Sequence, residues 1–318
     1  MDIESQRFIK ALQENRLDEL KKIPKSDLHN HQSRGANKHD LEKWLNVSIP
    51  PFQKVSTLAE MDSWYRTNIQ WLTPTKETFE MKIRGAFEEA KRENLLVYCL
   101  SIGPGDIQYF DNSMEQFIDT IEFYRSSITP NITFIPEISI YRSENLELNQ
   151  HQIDTVLKLL KMKYFKSIDL IGDEKLPSSQ FSDLFRTCKT QGMNTKTHIG
   201  EFTEYQNIIR ALVELEVQDI QHGISASESP ELMAMLNEKN ITLHICPTSN
   251  LMLGRIQDYS FPQLRTLIDH GVKVTINTDD LLIFDSSVSQ EYMHLYKSGN
   301  FTTEELNDIR LHGLSYAT

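Results

Sequence analysis

The chain has 318 residues, 39% of them hydrophobic and 25% charged, an ordinary globular composition that can fill a sizeable core and that excludes the disordered and fibrous classes. Asp and Glu outnumber Lys and Arg by 45 to 33, a formal charge of −12, which opposes the counterion release that drives polynucleotide binding. No apolar run reaches the roughly 18 residues of a membrane span, so neither nucleic acid nor a membrane is expected as a partner.

Residues 2 to 22 read as one or two acidic-basic amphipathic helices leading into Pro24, without the apolar core and cleavage site of a signal peptide, and a cytoplasmic location is expected. A first short strand follows in SDLHNH, Ser26 to His31. The segment from Ala36 to Thr75 then breaks the rhythm with Pro50-Pro51 and three tryptophans, Trp44, Trp64 and Trp71. It reads as an insertion after the first strand and as a lid over the site.

From about Glu80 onward, β-rich runs alternate with amphipathic stretches of helical length. The expected strands are Leu95 to Ile102, Ile132 to Ile140, Lys166 to Ile171, Met193 to Ile199, Val217 to His222, Ile241 to Cys246 and Val272 to Thr278. Between them, EQFIDTIEFYRSSI, DTVLKLLKMK, EYQNIIRALVEL, PELMAMLNEK and FPQLRTLIDH repeat apolar residues at three and four, as helices packed on a sheet require. Gln191-Gly192 and His270-Gly271 mark helix ends. One helix-like stretch, Thr302 to Leu314, is expected after the last strand. Repeated βα units suit either an open parallel sheet or a (β/α)8 barrel, and with no linker or repeat in view, 1–318 is read as a single domain. Cys99, Cys188 and Cys246 form no C-x-x-C pair, so they are read as reduced, mostly buried thiols.

In a (β/α)8 barrel the active site lies at the C-terminal ends of the strands, and this sequence repeatedly puts ligating and titrating residues there. The first strand ends in His29-Asn30-His31, the fifth in His198 with Glu201 just beyond, the sixth in His222-Gly223 and the eighth in Asp279-Asp280. Residues i and i+2 of a strand face one side, so His29 and His31 are expected to point together. With His198 and Asp279 they make a mixed nitrogen and oxygen set suited to one zinc ion with a position left for water. Each signal has a plainer reading: His-Gly as a turn, Asp-Asp as a solvated cap, Glu201 as a first-turn carboxylate favoured by the helix dipole. Their force is joint.

These residues resemble the adenosine deaminase family over nearly the whole chain, Ile23 to about Tyr296, through IPKSDLHNH, SIDLIGDE, THIGE, IQHG, CPTSN and TINTDD in that order. The resemblance implies a (β/α)8 barrel in which His29, His31, His198 and Asp279 bind one catalytic Zn2+ per chain. It implies Glu201 as the acid that protonates the purine ring nitrogen beside the reacting carbon, and His222 as the residue that orients the attacking water and takes its proton. Gly172 would offer its N–H to another ring nitrogen and Asp280 would bind the imidazole side of the base, with His31 also beside the substrate; Ser33, in a stretch that departs from the family motif, is read separately as a hydroxyl offered to the substrate. Physical logic agrees, since replacing an aromatic amino group by oxygen needs a proton on the ring, and burial raises a carboxyl toward the working pH. The expected partner is a small-molecule purine nucleoside, adenosine by default, with a modified adenosine, adenine or a nucleotide as alternatives.

Two departures stand out. Where relatives place Leu-Asp-Gly or Leu-Asn-Gly after H-x-H, this chain has Gln32-Ser33-Arg34-Gly35, so sugar recognition is altered and Arg34 is either an anion-binding or a solvated residue. After the second strand the run CLSIGPGD implies a rebuilt pocket wall. Three rival readings share parts of this pattern: a PHP-type phosphoesterase opening with the same D-L-H-x-H; a binuclear amidohydrolase, disfavoured by Leu170-Ile171-Gly172 at the fourth strand's end; and a deaminase-like binding protein without turnover. The cytosine-type zinc deaminases use P-C-x-x-C, which is absent here.

Overall fold

Alternating side chains on short β-rich runs decide the architecture. A computed structural model describes residues 2–69 and 75–317. Its eight strands pair in sequence order, all parallel: β1 (Lys25–Asp27), β2 (Leu95–Ile102), β3 (Thr133–Arg142), β4 (Ser167–Gly172), β5 (Asn194–Ile199), β6 (Asp219–His222), β7 (Thr242–Ile245) and β8 (Lys273–Ile276). Ile138, Ile140, Ile168, Leu170, Ile220, Leu243, Val274 and Ile276 turn one way, into the main hydrophobic cluster shared with the surrounding helices. Alternating with them along the strands, Glu137, Ser139, Ser167, Asp169, Asp219, Gln221, Thr242, His244 and Thr275 are polar and buried. Lys196 on β5 reaches Glu137 on β3 at 3.0 Å and Cys99 on β2 at 3.3 Å. Strands that are not sheet neighbours touch in this way only across the interior of a sheet curled on itself, so the fold is a (β/α)8 barrel.

The seam between β8 and β1 closes through side chains as well as backbone. Asp279 N–H donates to the His29 carbonyl at 2.8 Å, while the Asn277 side-chain oxygen accepts from Leu28 N–H at 2.8 Å. Strand β1 accordingly stops at Asp27, four residues short of the expected His31, and the following residues continue through isolated bridges, Asn30 with Asp279 and His31 with Ser101. Three helices, not one, follow β8: Leu281–Phe284, Val288–Lys297 and Thr303–Leu314. The last lies so close to β1 that a side chain at Gly313 would meet Ser26 Oγ at 2.1 Å, which justifies a glycine inside a helix despite its cost of roughly 1 kcal/mol relative to Ala.

The N-terminal segment forms helices Ile3–Gln13 and Leu17–Lys21 as expected. Buried Arg310 ties it to the barrel by donating to Ser5 Oγ and the Pro24 carbonyl. The insertion holds helices Lys38–Leu45 and Leu58–Asn68, the second begun by a capping box between Thr57 and Glu60. Their apolar faces meet Leu253, Leu282, Ile283 and Phe284 in a separate cluster over the barrel mouth. Trp71 lies outside the described residues. All three cysteines are buried and unpaired, and among the described residues no helix is long and apolar enough to cross a membrane.

Candidate active site

The distant histidines and acids meet at the C-terminal mouth of the barrel. One ligand atom from each of His29, His31, His198 and Asp279 lies within 4.8 Å of the others. His29 Nε2 stands 3.0 Å from His198 Nε2, and Asp279 Oδ1 stands 3.4 Å from His29 Nε2 and 3.3 Å from His31 Nε2. Two imidazole nitrogens at that distance repel through their lone pairs unless a cation or a proton lies between them. Nitrogen and carboxylate donors converging at this spacing fit a borderline divalent metal. His222 and Asp279 both adopt the left-handed region, φ 62° and 61°, local strain of the kind that clusters at functional sites.

The expected acid and base sit beside this set. Glu201 Oε2 is 3.5 Å from His222 Nε2, which is 3.9 Å from Asp279 Oδ2. Burial raises the Glu201 carboxyl well above its ordinary value, and the carboxylates of Asp279 and Glu174 push it further the same way. Burial lowers His222 and His198 well below the usual imidazole range, helped by neighbouring imidazoles. For Asp279, burial alone would raise the carboxyl, but the surrounding imidazoles, His29 first, hold it well below the ordinary range. Burial and neighbouring charge thus push Glu201 toward its protonated form, His222 toward the neutral imidazole and Asp279 toward the carboxylate, the separation that acid–base chemistry uses.

Several positioning residues carry no distinct signal in the sequence. Asp169, fully buried on β4, places its carboxylate 2.9 Å from His198 Nδ1, behind that ring. The Glu174 carboxylate accepts the N–H groups of Gly200, Glu201 and Phe202 at 2.7, 3.1 and 3.3 Å and the Thr203 hydroxyl at 2.6 Å, pinning the loop that presents Glu201. Asn250 Nδ2 donates to Glu201 Oε1 at 2.7 Å, and Ser249 Oγ donates to Asp279 Oδ2 at 2.7 Å. These last two belong to CPTSN, a motif whose chemistry was not legible from residue types. Cys246 Sγ, from the same motif, sits 3.3 Å from His29 Nδ1, on the side of the ring turned away from the donor set.

A cavity of about 310 Å3 opens over these groups. His31, Ser33, Gly172, His198, Glu201, His222, Asp279 and Asp280 all line it, so the candidate residues other than the more deeply buried His29 face one space. Gly172 has φ +95°, and a side chain there would meet the Tyr141 ring at 2.9 Å. The rebuilt wall of the second strand contributes Gly103 and Asp106, the latter on the 3-10 turn Pro104–Phe110. Arg34 is neither solvated nor free. Its guanidinium donates to Asp280 at 2.8 Å and to Asp62 of helix Leu58–Asn68 at 3.1 Å, and lies 4.4 Å from the centre of the Tyr65 ring.

With this geometry in place, comparison with known proteins is informative. Residues 48–318 match the family model for adenosine deaminase. An adenosine deaminase of Shewanella loihica is 31% identical over 315 residues, covering 93% of this chain and 94% of the relative. Among solved structures, the adenine deaminase of Arthrobacter aurescens superposes with a TM-score of 0.79 at 19% identity, covering 93% of both chains. The N6-methyl-AMP deaminase of Arabidopsis thaliana superposes with a TM-score of 0.77 at 19% identity, covering 95% of this chain and 94% of the other. The phosphoesterase and binuclear readings fall away, and family and donor set together point to a metal, typically zinc. The chain belongs to the adenosine deaminase family, hydrolases that act on a C–N bond of a purine.

Proposed function

We propose that the chain removes the 6-amino group of a purine carried on a sugar, of the adenosine type, by hydrolysis, giving the 6-oxo product and ammonia. The observation that carries this reading is the buried Glu201 carboxyl, raised well above its ordinary value, facing one cavity with His222, His31, His198 and Asp279, with His29 next to His198. His29, His31, His198 and Asp279 would hold one zinc, which when bound supplies Lewis acidity and lowers the pKa of water to about 7.

The protein's own groups then divide the proton traffic. Glu201, protonated, gives its proton to the ring nitrogen beside the reacting carbon, and Asn250 keeps its second oxygen in place. His222, neutral and 3.9 Å from Asp279, orients the incoming water and takes its proton. Gly172 offers a backbone N–H to the opposite ring nitrogen. Asp280 Oδ1, buried and without a hydrogen-bond partner among the described residues, meets the imidazole side of the base. Leu58, Met61 and Asp62 bring helix Leu58–Asn68 over the cavity, and we read the described part of the insertion, residues 36–69, as the cover that keeps bulk water from the base. The two relatives by fold act on purines whose substituents differ, free adenine in one and an N6-methylated nucleotide in the other, so the fold favours the base and leaves the substituent to the pocket wall.

Ammonia release by the zinc-loaded chain from adenosine, 2'-deoxyadenosine, N6-methyladenosine and adenine tests the proposal. Turnover of a sugar-bearing 6-aminopurine is expected. A protein that holds one zinc per chain yet frees ammonia from no 6-aminopurine, with or without further groups on the sugar, would overturn it.

A further inference from the structure

Beside the catalytic cavity lies a second one of about 290 Å3. Gln32, Ser33, Arg34, Asp62, Asp106 and Tyr141 form the wall common to both. Each is near the lower end of the roughly 300–1,000 Å3 typical of ligand pockets.

The charges of the second cavity are not matched. Arg34 is already committed to Asp280 and Asp62. Lys82, from helix Lys76–Arg92, is only 6% exposed, and its ammonium donates to Tyr65 Oη at 3.0 Å. It has no carboxylate within 4 Å among the described residues, although an ammonium carries three donors and a buried cation lacking a counter-charge is costly. Arg66, exposed on the lid helix, lines the same space and makes no ion pair among the described residues. Asp106 is the remaining acid of the cavity, and burial pushes its carboxyl up to about 6 against the pull of Lys82, so it accepts a proton readily when an anion arrives. In a chain of net charge −12, two uncommitted cations turned into a cavity that opens off the reaction site call for an anionic ligand.

We propose that the substrate bears an anionic group of the phosphate class on its sugar, and that Lys82 and Arg66 in the second cavity recognise it. This rests on the deaminase reading of the neighbouring cavity.

The test uses the full zinc-loaded chain and compares kcat/KM for ammonia release from adenosine 5'-monophosphate and from adenosine. The monophosphate is expected to be preferred at least tenfold. Arg66→Ala, which alters an exposed residue, and Lys82→Met should each cut that preference about tenfold or more through KM, whereas Asp106→Asn should raise it. Equal or better use of adenosine, or a preference that neither Arg66→Ala nor Lys82→Met changes, overturns the proposal. If neither compound releases ammonia, the deaminase reading fails for these substrates and calorimetry decides the anion site by itself. Inosine 5'-monophosphate should then bind at least tenfold tighter than inosine, with the advantage lost in Arg66→Ala. Binding of inorganic phosphate with no such advantage for the nucleotide would overturn the assignment to the substrate.

Discussion

Both ends of this barrel bury charge, and they do so on opposite principles. In the middle layer the buried ammonium of Lys196 meets its opposite: it donates to Glu137 at 3.0 Å and to the Leu28 carbonyl at 3.0 Å, and Ser167 Oγ donates to the same Glu137 carboxylate at 2.6 Å. Asp219 accepts from Asn194 at 2.6 Å and from Tyr316 at 2.9 Å, with His244 3.6 Å away. At the mouth, groups of like character are pressed together instead, imidazole against imidazole at 3.0 Å and Glu201 among other carboxylates. A satisfied buried pair holds the barrel's shape, whereas a crowded donor set stores free energy that only a cation, a proton or a substrate relieves. The difference separates scaffold from site without reference to any relative.

Substitutions at the two ends should therefore fail in different ways. The largest effect is expected from Asp279→Ala, which removes the carboxylate shared by two imidazoles: zinc content should drop to background and turnover disappear while the fold persists. Full activity in that variant would refute the ligand assignment. Next, Glu201→Gln keeps the shape and the Asn250 contact but cannot cede a proton, so kcat should fall by roughly 10^3 or more with zinc and substrate binding retained. A loss under tenfold would move the acid elsewhere. In the wild type the rate should hold while Glu201 is protonated and decline as pH rises through its raised pKa, a limb missing from the Glu201→Gln profile.

At the other end, Lys196→Met strands Glu137 without its cation, and urea unfolding should register a loss of about 3–5 kcal/mol. Zinc stoichiometry in the folded fraction should stay near wild type, and loss of metal with stability intact would erase the contrast drawn here. The smallest effect belongs to Asp219. Burial works to raise this carboxyl, but His244, Lys196 and Asn194 hold it at about 2, below its ordinary 3.8. Because the folded-state value is depressed, its contribution is complete above pH 4 and is lost as pH falls from about 4 toward 2. Comparing wild type with Asp219→Asn across that window should show a difference of about 2 kcal/mol at neutral pH that vanishes in acid.

The sequence carried the groups with side chains able to ligate or titrate, because chemistry restricts their residue types and the barrel gathers them at strand ends. His29, His31, His198, Glu201, His222 and Asp279 were all legible on those grounds, as were eight strands in order, since inward polar and outward apolar residues leave a period that survives in the string. What the string did not carry was direction. His29 and His31 were expected on a strand, yet β1 stops at Asp27 and it is the Asn277 side chain that guides the chain onward. Asp169, Glu174 and Asn250 look like any buried polar residue until the fold sets them behind His198 and Glu201.

Arg34 marks the boundary most clearly. A sequence determines that a cation stands three residues past the second histidine; it does not determine that Asp280 and Asp62, 246 and 28 residues away along the chain, have already claimed it. Local residue types set which bonds are chemically available, and periodicity sets which face each residue turns to. Which partner arrives first is decided by closure of the barrel and by the helix laid across its mouth, since a contact between distant segments forms only when the intervening chain has paid the entropy of bringing them together.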